Sequence, residues 1–284
     1  MCMGFGCNAA GVIGCRIIDS PREKLISIIT NAFVPCNGRF PFLITIAMIF
    51  FAGKLSSGLA SVVSTLAVMV VVLIGIMLTF AISNILSKTI LKGVSSSFIL
   101  ELPPYRKPQI GKILFRSIFD RTLFVLARAI SVAAPAGIVI WIMANLQISD
   151  ISLLTYVANF LDPFAKLMGL DGYILTAFIL GFPANEIVLP IILMCYMQTG
   201  VLVDMENTQS IGKILIENGW TWLTAINTMI FTLLHFPCST TTLSIKKESG
   251  SWKWAGIAFA LPTVTGITFC MITTFVAHMF AYIT

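Results

Sequence analysis

Along the chain, long apolar stretches alternate with short charged clusters rather than with the finely mixed surface of a water-soluble fold. A helix needs roughly 20 mostly apolar residues to cross about 30 Å of hydrocarbon. Residues 25–52 have that length but are interrupted at Pro35-Cys36-Asn37-Gly38-Arg39-Phe40-Pro41. Residues 59–86 run unbroken to Lys88, and residues 122–146 follow Arg116 and Arg121. Residues 171–199 are split at Gly181-Phe182-Pro183-Ala184-Asn185-Glu186, residues 220–245 are broken at His235-Phe236-Pro237-Cys238, and residues 254–283 form a last intact stretch. This pattern predicts an all-α polytopic membrane protein in which intact spans alternate with broken ones. Between two of these stretches, Leu153 to Met168 is amphipathic, which suits a helix lying along the membrane surface.

Composition supports this reading. Of 284 residues, 57% are hydrophobic and 11% charged, against about 25% charged in an ordinary soluble domain. Disorder is excluded, and so is a disulfide-stapled secreted module, because the seven Cys sit among apolar segments rather than along polar loops. The net charge of +6 marks topology, not nucleic acid, since the basic residues flank the spans. No cleavable signal peptide is visible at the start, and no G-x-x-x-x-G-K-[ST] loop is present, so this stretch of sequence does not itself cradle a nucleoside triphosphate.

Charge also orients the spans. Lys88, Lys92, Arg106, Lys107, Lys112, Arg116 and Arg121 outnumber Glu101 and Asp120, so this segment is placed in the cytoplasm. The segment 147–171 carries Asp150, Asp162 and Asp171 against Lys166, which suits the outside. A full crossing by 171–199 would then carry Lys246, Lys247 and Lys253 outside; a re-entrant hairpin that turns at Gly181–Asn185 keeps them inside. The same reasoning run backward puts Arg16, Arg22 and Lys24 inside and makes Gly4–Asn8 the tip of a hairpin entering from the cytoplasm.

Two strings recur in order. Gly4-Phe5-Gly6-Cys7-Asn8 and Gly181-Phe182-Pro183-Ala184-Asn185 share Gly-Phe-x-x-Asn, and Pro35-Cys36 matches Pro237-Cys238. Each half reads hairpin tip, broken span, intact span. The opposite starting sides make the halves an inverted pair of gate-type repeats, an arrangement many secondary transporters use. The expected division is a first repeat over 1–92, a basic segment with a connecting span and surface helix over 93–170, and a second repeat over 171–284. Unwound backbone at membrane depth survives only where it is buried in protein or lines a wet cavity, so the breaks call for a shared site, where half-helix carbonyls can coordinate a cation.

Glu186 is the sole acidic side chain inside an apolar segment away from the interfaces. A mid-membrane carboxylate costs at least ~2.5 kcal/mol, so it must pair, protonate or bind a cation; the alternative role is to cap the half-helix 186–199. Cys7, Cys36 and Cys238 all fall in the breaks, whereas Cys195 and Cys270 lie within apolar helices as small hydrophobes. Three thiols, a carboxylate and the amides of Asn8 and Asn185 suit a transition metal such as Fe²⁺ better than Na⁺ or Mg²⁺. His235 either binds metal or packs with its ring bonded to a carbonyl. No C-x-x-C or H-E-x-x-H spacing supports structural zinc or a zinc protease.

At these residues the sequence resembles the membrane portion of the ferrous iron transport protein B family. The resemblance rests on Gly4–Asn8, Pro35–Pro41, Glu101-Leu102-Pro103-Pro104-Tyr105-Arg106, Pro183-Ala184-Asn185-Glu186-Ile187-Val188-Leu189-Pro190, and His235-Phe236-Pro237-Cys238 with Thr240-Thr241 and Lys246 to Trp254. It implies Fe²⁺ uptake across the bacterial cytoplasmic membrane, gate repeats related to those of nucleoside transporters, and Cys7, Cys36 and Cys238 on the metal path. Members of that family normally carry an N-terminal GTP-binding domain and earlier helices, so this sequence is expected to be a C-terminal portion energised by a GTPase domain or upstream chain outside it. The expected metal residues are Cys7, Cys36, Cys238, Glu186 and Asn185, with Fe²⁺ as substrate, no permanently bound cofactor, no enzymatic step in this chain, and the lipid bilayer and a second copy as further partners. A nucleoside-type carrier and a non-transporting scaffold are the competing readings.

Overall fold

The structure, a computed structural model, describes residues 2–53, 57–91, 111, 115, 123–148, 151–202 and 207–283. The basic segment and its Glu101–Arg106 motif lie mostly outside the described residues. Elsewhere the apolar stretches are helices. A short α1 (Asn8–Gly14) follows a 3₁₀ turn at Cys2–Phe5. The first broken span is α2 (Pro21–Thr30) and α3 (Phe40–Ala52), and the intact span after it is α4 (Ser57–Lys88). Next come α5 (Phe124–Asn145) and α6 (Leu153–Leu167). The second hairpin is α7 (Gly172–Leu180) and α8 (Val188–Met197), followed by α9 (Thr208–Glu217). The second broken span is α10 (Trp222–Leu234) and α11 (Ser239–Ser249), and α12 (Trp252–Ile283) closes the described chain.

The fold is all-α, as expected, with one two-residue antiparallel ladder, Gln147–Ile148 with Ile151–Ser152, between α5 and α6. Among the described residues, three helical stretches are long and apolar enough to cross a membrane, and a fourth if the bent pair α6–α7 counts as one. Their outer surfaces are apolar: Leu66, Leu73, Met77 and Phe80 on α4 and Val264, Ile272, Phe275 and Phe280 on α12 are exposed, as side chains facing lipid rather than water would be. This is a multi-pass membrane protein.

α6 has the amphipathic pattern its sequence predicts. Ser152 caps it by accepting from the Thr155 N–H, and Leu154, Ala158 and Ala165 are buried while Tyr156, Phe160, Phe164 and Leu167 form one exposed face. The chain then bends by 109° into α7, whose first turn is capped by the Asp171 carboxylate accepting from the Ile174 N–H at 2.6 Å.

The segment 171–199 folds back on itself, as expected. Gly181 makes the turn, and a Cβ there would lie 2.5 Å from Val188 Cγ2 and 3.0 Å from the Ala177 carbonyl oxygen. Gly181→Ala is therefore expected to splay α7 from α8 and destabilise by about 1–3 kcal/mol, as overpacking does, read as a lowered melting temperature.

The breaks differ from expectation at one edge. The first was expected to extend through Pro41, but extended backbone is confined to Val34–Cys36, a 3₁₀ turn covers Asn37–Arg39, and α3 begins at Phe40 with Pro41 in its first turn. Proline lacks only an N–H that a first helical turn leaves unpaired anyway, so Pro41 starts a helix rather than ending one.

The two halves repeat in backbone detail. Cys7 (φ −153°, ψ 124°) and Ala184 (φ −152°, ψ 120°) hold the same place in the Gly-Phe-x-x-Asn strings, and Cys36 (φ −84°, ψ 166°) corresponds to Cys238 (φ −60°, ψ 161°). In each half the residue after the break cysteine ties the break to its hairpin tip. The Asn37 N–H donates to the Gly6 carbonyl at 3.3 Å and the Ser239 N–H to the Phe182 carbonyl at 2.8 Å. Across the halves, α1 packs on α11, α2 on α12, and α10 on α3 and α4.

Candidate metal route at the helix breaks

The second tip is held at its break by aromatic packing. Phe182 meets Phe236 and Phe259 edge-on, and Phe236 stacks on Phe259 at 4.8 Å; such pairs contribute about 0.5–1.5 kcal/mol each beyond area burial. This fixes Asn185 and Glu186, in the 3₁₀ turn Asn185–Ile187, against the 3₁₀ turn of the first break.

Of the five residues expected to take metal, the structure brings some together and not others. Asn185 Nδ2 donates to Cys36 Sγ at 3.8 Å, a contact between the tip of the second half and the break of the first. The Glu186 side chain lies over Gly38, where an added Cβ would come within 3.0 Å of Cγ and 3.1 Å of Oε1. Gly38 is thus the space that admits the carboxylate beside the Cys36 break. Cys238 Sγ lies 3.2 Å from the Thr241 hydroxyl, and Cys36 and Cys7 lie within electrostatic reach of it. Cys7 is exposed at its tip. Among the described residues, no three His, Cys, Asp or Glu side chains converge closely enough to form a ready metal cluster. The arrangement is a string of donors along two breaks, not a closed cage.

Glu186 does not act as a helix cap: no hydrogen bond or ion pair engages it among the described residues, and it is exposed. His235 fits its packing role. Its Nδ1 lies 3.0 Å and 2.9 Å from the Phe231 and Thr232 carbonyl oxygens, and Nε2 lies 3.2 Å from Asn185 Oδ1. With both nitrogens engaged and the ring packed against Phe178 and Phe236, His235 positions Asn185, which in turn meets Cys36. Cys195 and Cys270 are buried within helices, and Cys270 Sγ donates to the Asn227 carbonyl.

Arg39 was missed as a functional residue by sequence reasoning. It is fully buried, and its guanidinium donates to the Leu233 carbonyl at 2.7 Å and to the His235 and Phe236 carbonyls at 3.2 Å. Those carbonyls belong to the C-terminal end of α10 and the second break, where a half-helix leaves acceptors unpaired and carries partial negative charge. The expectation that half-helix carbonyls would coordinate the transported cation is corrected at this end: the chain's own cation occupies them. Arg39 Nε has no hydrogen-bond partner among the described residues. The sequence signal was a basic residue inside an apolar span with no nearby acid, which by its cost in hydrocarbon demands a partner.

A second bridge joins the halves at the side assigned to the cytoplasm. Arg16 Nε donates to Glu248 Oε2 at 2.7 Å and Nη2 to Oε1 at 2.5 Å, and the carboxylate holds the guanidinium above its ordinary value.

Two family models match the chain: "Nucleoside recognition" gate over residues 126–252, and "Ferrous iron transport protein B C terminus" over residues 68–120. A curated relative from Staphylococcus aureus (strain COL), the Fe(2+) transporter FeoB, is 32% identical over 289 residues, covering 99% of this chain and 40% of the relative. The Fe(2+) transporter FeoB of Methanocaldococcus jannaschii is 26% identical over 98% of this chain and 41% of its own length. A Porphyromonas gingivalis protein named as a fusion of Fe(2+) transport protein A and Fe(2+) transporter FeoB is 25% identical over 89% of this chain and 34% of its own length. No solved structure matches. The chain thus spans about two fifths of the length of its first curated relatives. From tip motif to last span the chain is similar to the C-terminal membrane portion of the ferrous iron transport protein B family.

Proposed function

We propose that this chain is the permease portion of a ferrous iron uptake transporter in the bacterial cytoplasmic membrane. Fe²⁺ passes along Cys7, Cys36, Asn185, Glu186 and Cys238, and the two breaks are its gates. The observation that carries this reading is the contact of Asn185 with Cys36 beside Glu186 on Gly38: a soft and a hard donor from opposite halves meet where the backbone is unwound. A metal-binding thiolate carries negative charge, and the Asn185 N–H together with Arg39, within electrostatic reach of Cys36 and Cys238, compensates it. Arg39 also repels a divalent ion, so residence at any one donor is short. Conduction needs that balance, with binding strong enough to admit the ion and weak enough to release it.

The halves 1–92 and 171–284, joined by 93–170, are read as inverted repeats, so that rocking one against the other exposes the route to each side in turn. Relatives named as Fe(2+) transporters support the substrate, and the gap between this chain and their full length leaves room for the GTP-binding domain that would energise it. The fused relative points to a Fe(2+) transport protein A as a further partner; homo-oligomers are compatible with the exposed apolar faces. Chemistry within this chain is limited to binding and gating.

The test is thermal unfolding of the purified protein. At a hundredfold excess over Kd, Fe²⁺ or Co²⁺ should raise the melting temperature by about 5 °C, and Glu186→Gln should reduce the rise. A shift with nucleosides instead would favour a nucleoside carrier, and no shift with either a scaffold.

A further inference from the structure

We infer that the turn between α11 and α12 binds the phosphate headgroup of an anionic phospholipid from the cytoplasmic leaflet. A groove of about 410 Å³ opens there, lined by Leu243, Lys246, Lys247 and Gly250. Both lysines are exposed in the last turn of α11, and among the described residues neither ammonium pairs with a carboxylate. The acid beside them, Glu248, is committed elsewhere, because both its oxygens accept from Arg16. Two positive charges therefore share one recess with no internal counterion, which fits an anion supplied from outside the chain.

The backbone and an indole shape the same place. Gly250 turns the chain at φ 70°, a conformation that residues with a Cβ rarely adopt, and α12 starts two residues later. The N-terminal end of that 32-residue helix carries partial positive charge and amides that its own ladder leaves open, both suited to phosphate oxygens. Lys246 Nζ lies 5.1 Å from the centre of the Trp252 ring. That cation–π contact holds the ammonium at the groove before any ligand arrives.

The surroundings favour a lipid over a soluble anion. Trp252 and Lys253 are exposed at the start of an apolar helix, and tryptophan beside lysine is the pairing expected at a membrane–water interface. These lysines fall on the side that charge assigns to the cytoplasm, where the leaflet presents anionic lipid. Leu243 on the groove wall and the exposed Val264, Ile272 and Phe275 farther along α12 offer apolar surface to acyl chains. Free phosphate would meet only solvated charge here, whereas a phospholipid satisfies the lysines and the apolar surface together. The site stands independently of the proposed function.

The test is thermal unfolding of the purified protein in neutral detergent, with dioctanoyl phosphatidylglycerol titrated in at constant ionic strength. The melting temperature should rise saturably by about 3–5 °C, and neither dioctanoyl phosphatidylcholine nor inorganic phosphate should reproduce the rise. Lys246→Ala combined with Lys247→Ala should raise the half-saturating concentration of phosphatidylglycerol by roughly tenfold or more, given the worth of each lysine near an anionic headgroup. Lys88→Ala combined with Lys213→Ala removes the same charge outside the groove and should respond as the parent does. Each rise is taken from that variant's own lipid-free midpoint, so a change in basal stability does not enter. An equal rise with phosphatidylcholine or with phosphate would overturn the site. So would a parental response from the Lys246 and Lys247 double variant, or an equal loss from the Lys88 and Lys213 pair.

Discussion

Replacing Arg39 by Ala is expected to lower the melting temperature of the purified protein by about 6–10 °C. The side chain is fully buried and supports three carbonyls of the second half, at Leu233, His235 and Phe236. Removing one partner of a buried charged network costs about 3–5 kcal/mol, because the groups left behind stay buried and unpaired. For a chain of this size each kcal/mol shifts the midpoint by roughly 2 °C. Arg39→Lys should recover only part of the loss, since an ammonium cannot reproduce the planar fork that reaches carbonyls on both sides of a break. Thermal denaturation in detergent reads both variants. If Ala at position 39 melted with the parent, the guanidinium would not be holding the two broken spans together.

The second large effect concerns the thiols. Cys36→Ser and Cys238→Ser should each reduce Fe²⁺ uptake more than tenfold in a reconstituted or cellular assay, a loss of about 1.4 kcal/mol or more in the rate-limiting interaction. Cys195→Ser should leave uptake near the parent level in protein that remains folded, because Cys195 is buried within α8. The contrast isolates position from chemistry: the same atom is removed in each case, and only the break cysteines belong to the proposed route. Serine keeps the size and loses the soft donor, so a metal site that depended on oxygen alone would tolerate all three substitutions.

Much of this architecture was readable from pattern. Breaks at Gly-Phe-x-x-Asn and Pro-Cys stand out because Gly and Pro interrupt otherwise apolar runs, and the ladder of amphipathic positions in α6 is local. The errors and omissions are non-local. Pro41 looks like a breaker until the helix is seen to begin at Phe40, one residue before it. Arg39 finds its acceptors nearly 200 residues later, and they are backbone oxygens, which have no sequence signature of their own. Asn31 reads as an ordinary polar residue near a helix end until its side-chain Oδ1 is seen to lack a donor among the described residues. The same holds for His235, whose role follows from both ring nitrogens being engaged rather than from its identity. Residue types singled out the breaks as candidate sites; which side chains face one another there depended on how the two halves pack.

The central claim is that sulfur from the two breaks receives the ion. X-ray absorption at the iron edge of Fe²⁺-loaded protein tests it most directly. The account predicts sulfur scatterers at the roughly 2.3 Å typical of metal–thiolate bonds, diminished in Cys36→Ser and in Cys238→Ser. A parent spectrum fitted by oxygen and nitrogen alone, unchanged in both variants, would contradict it.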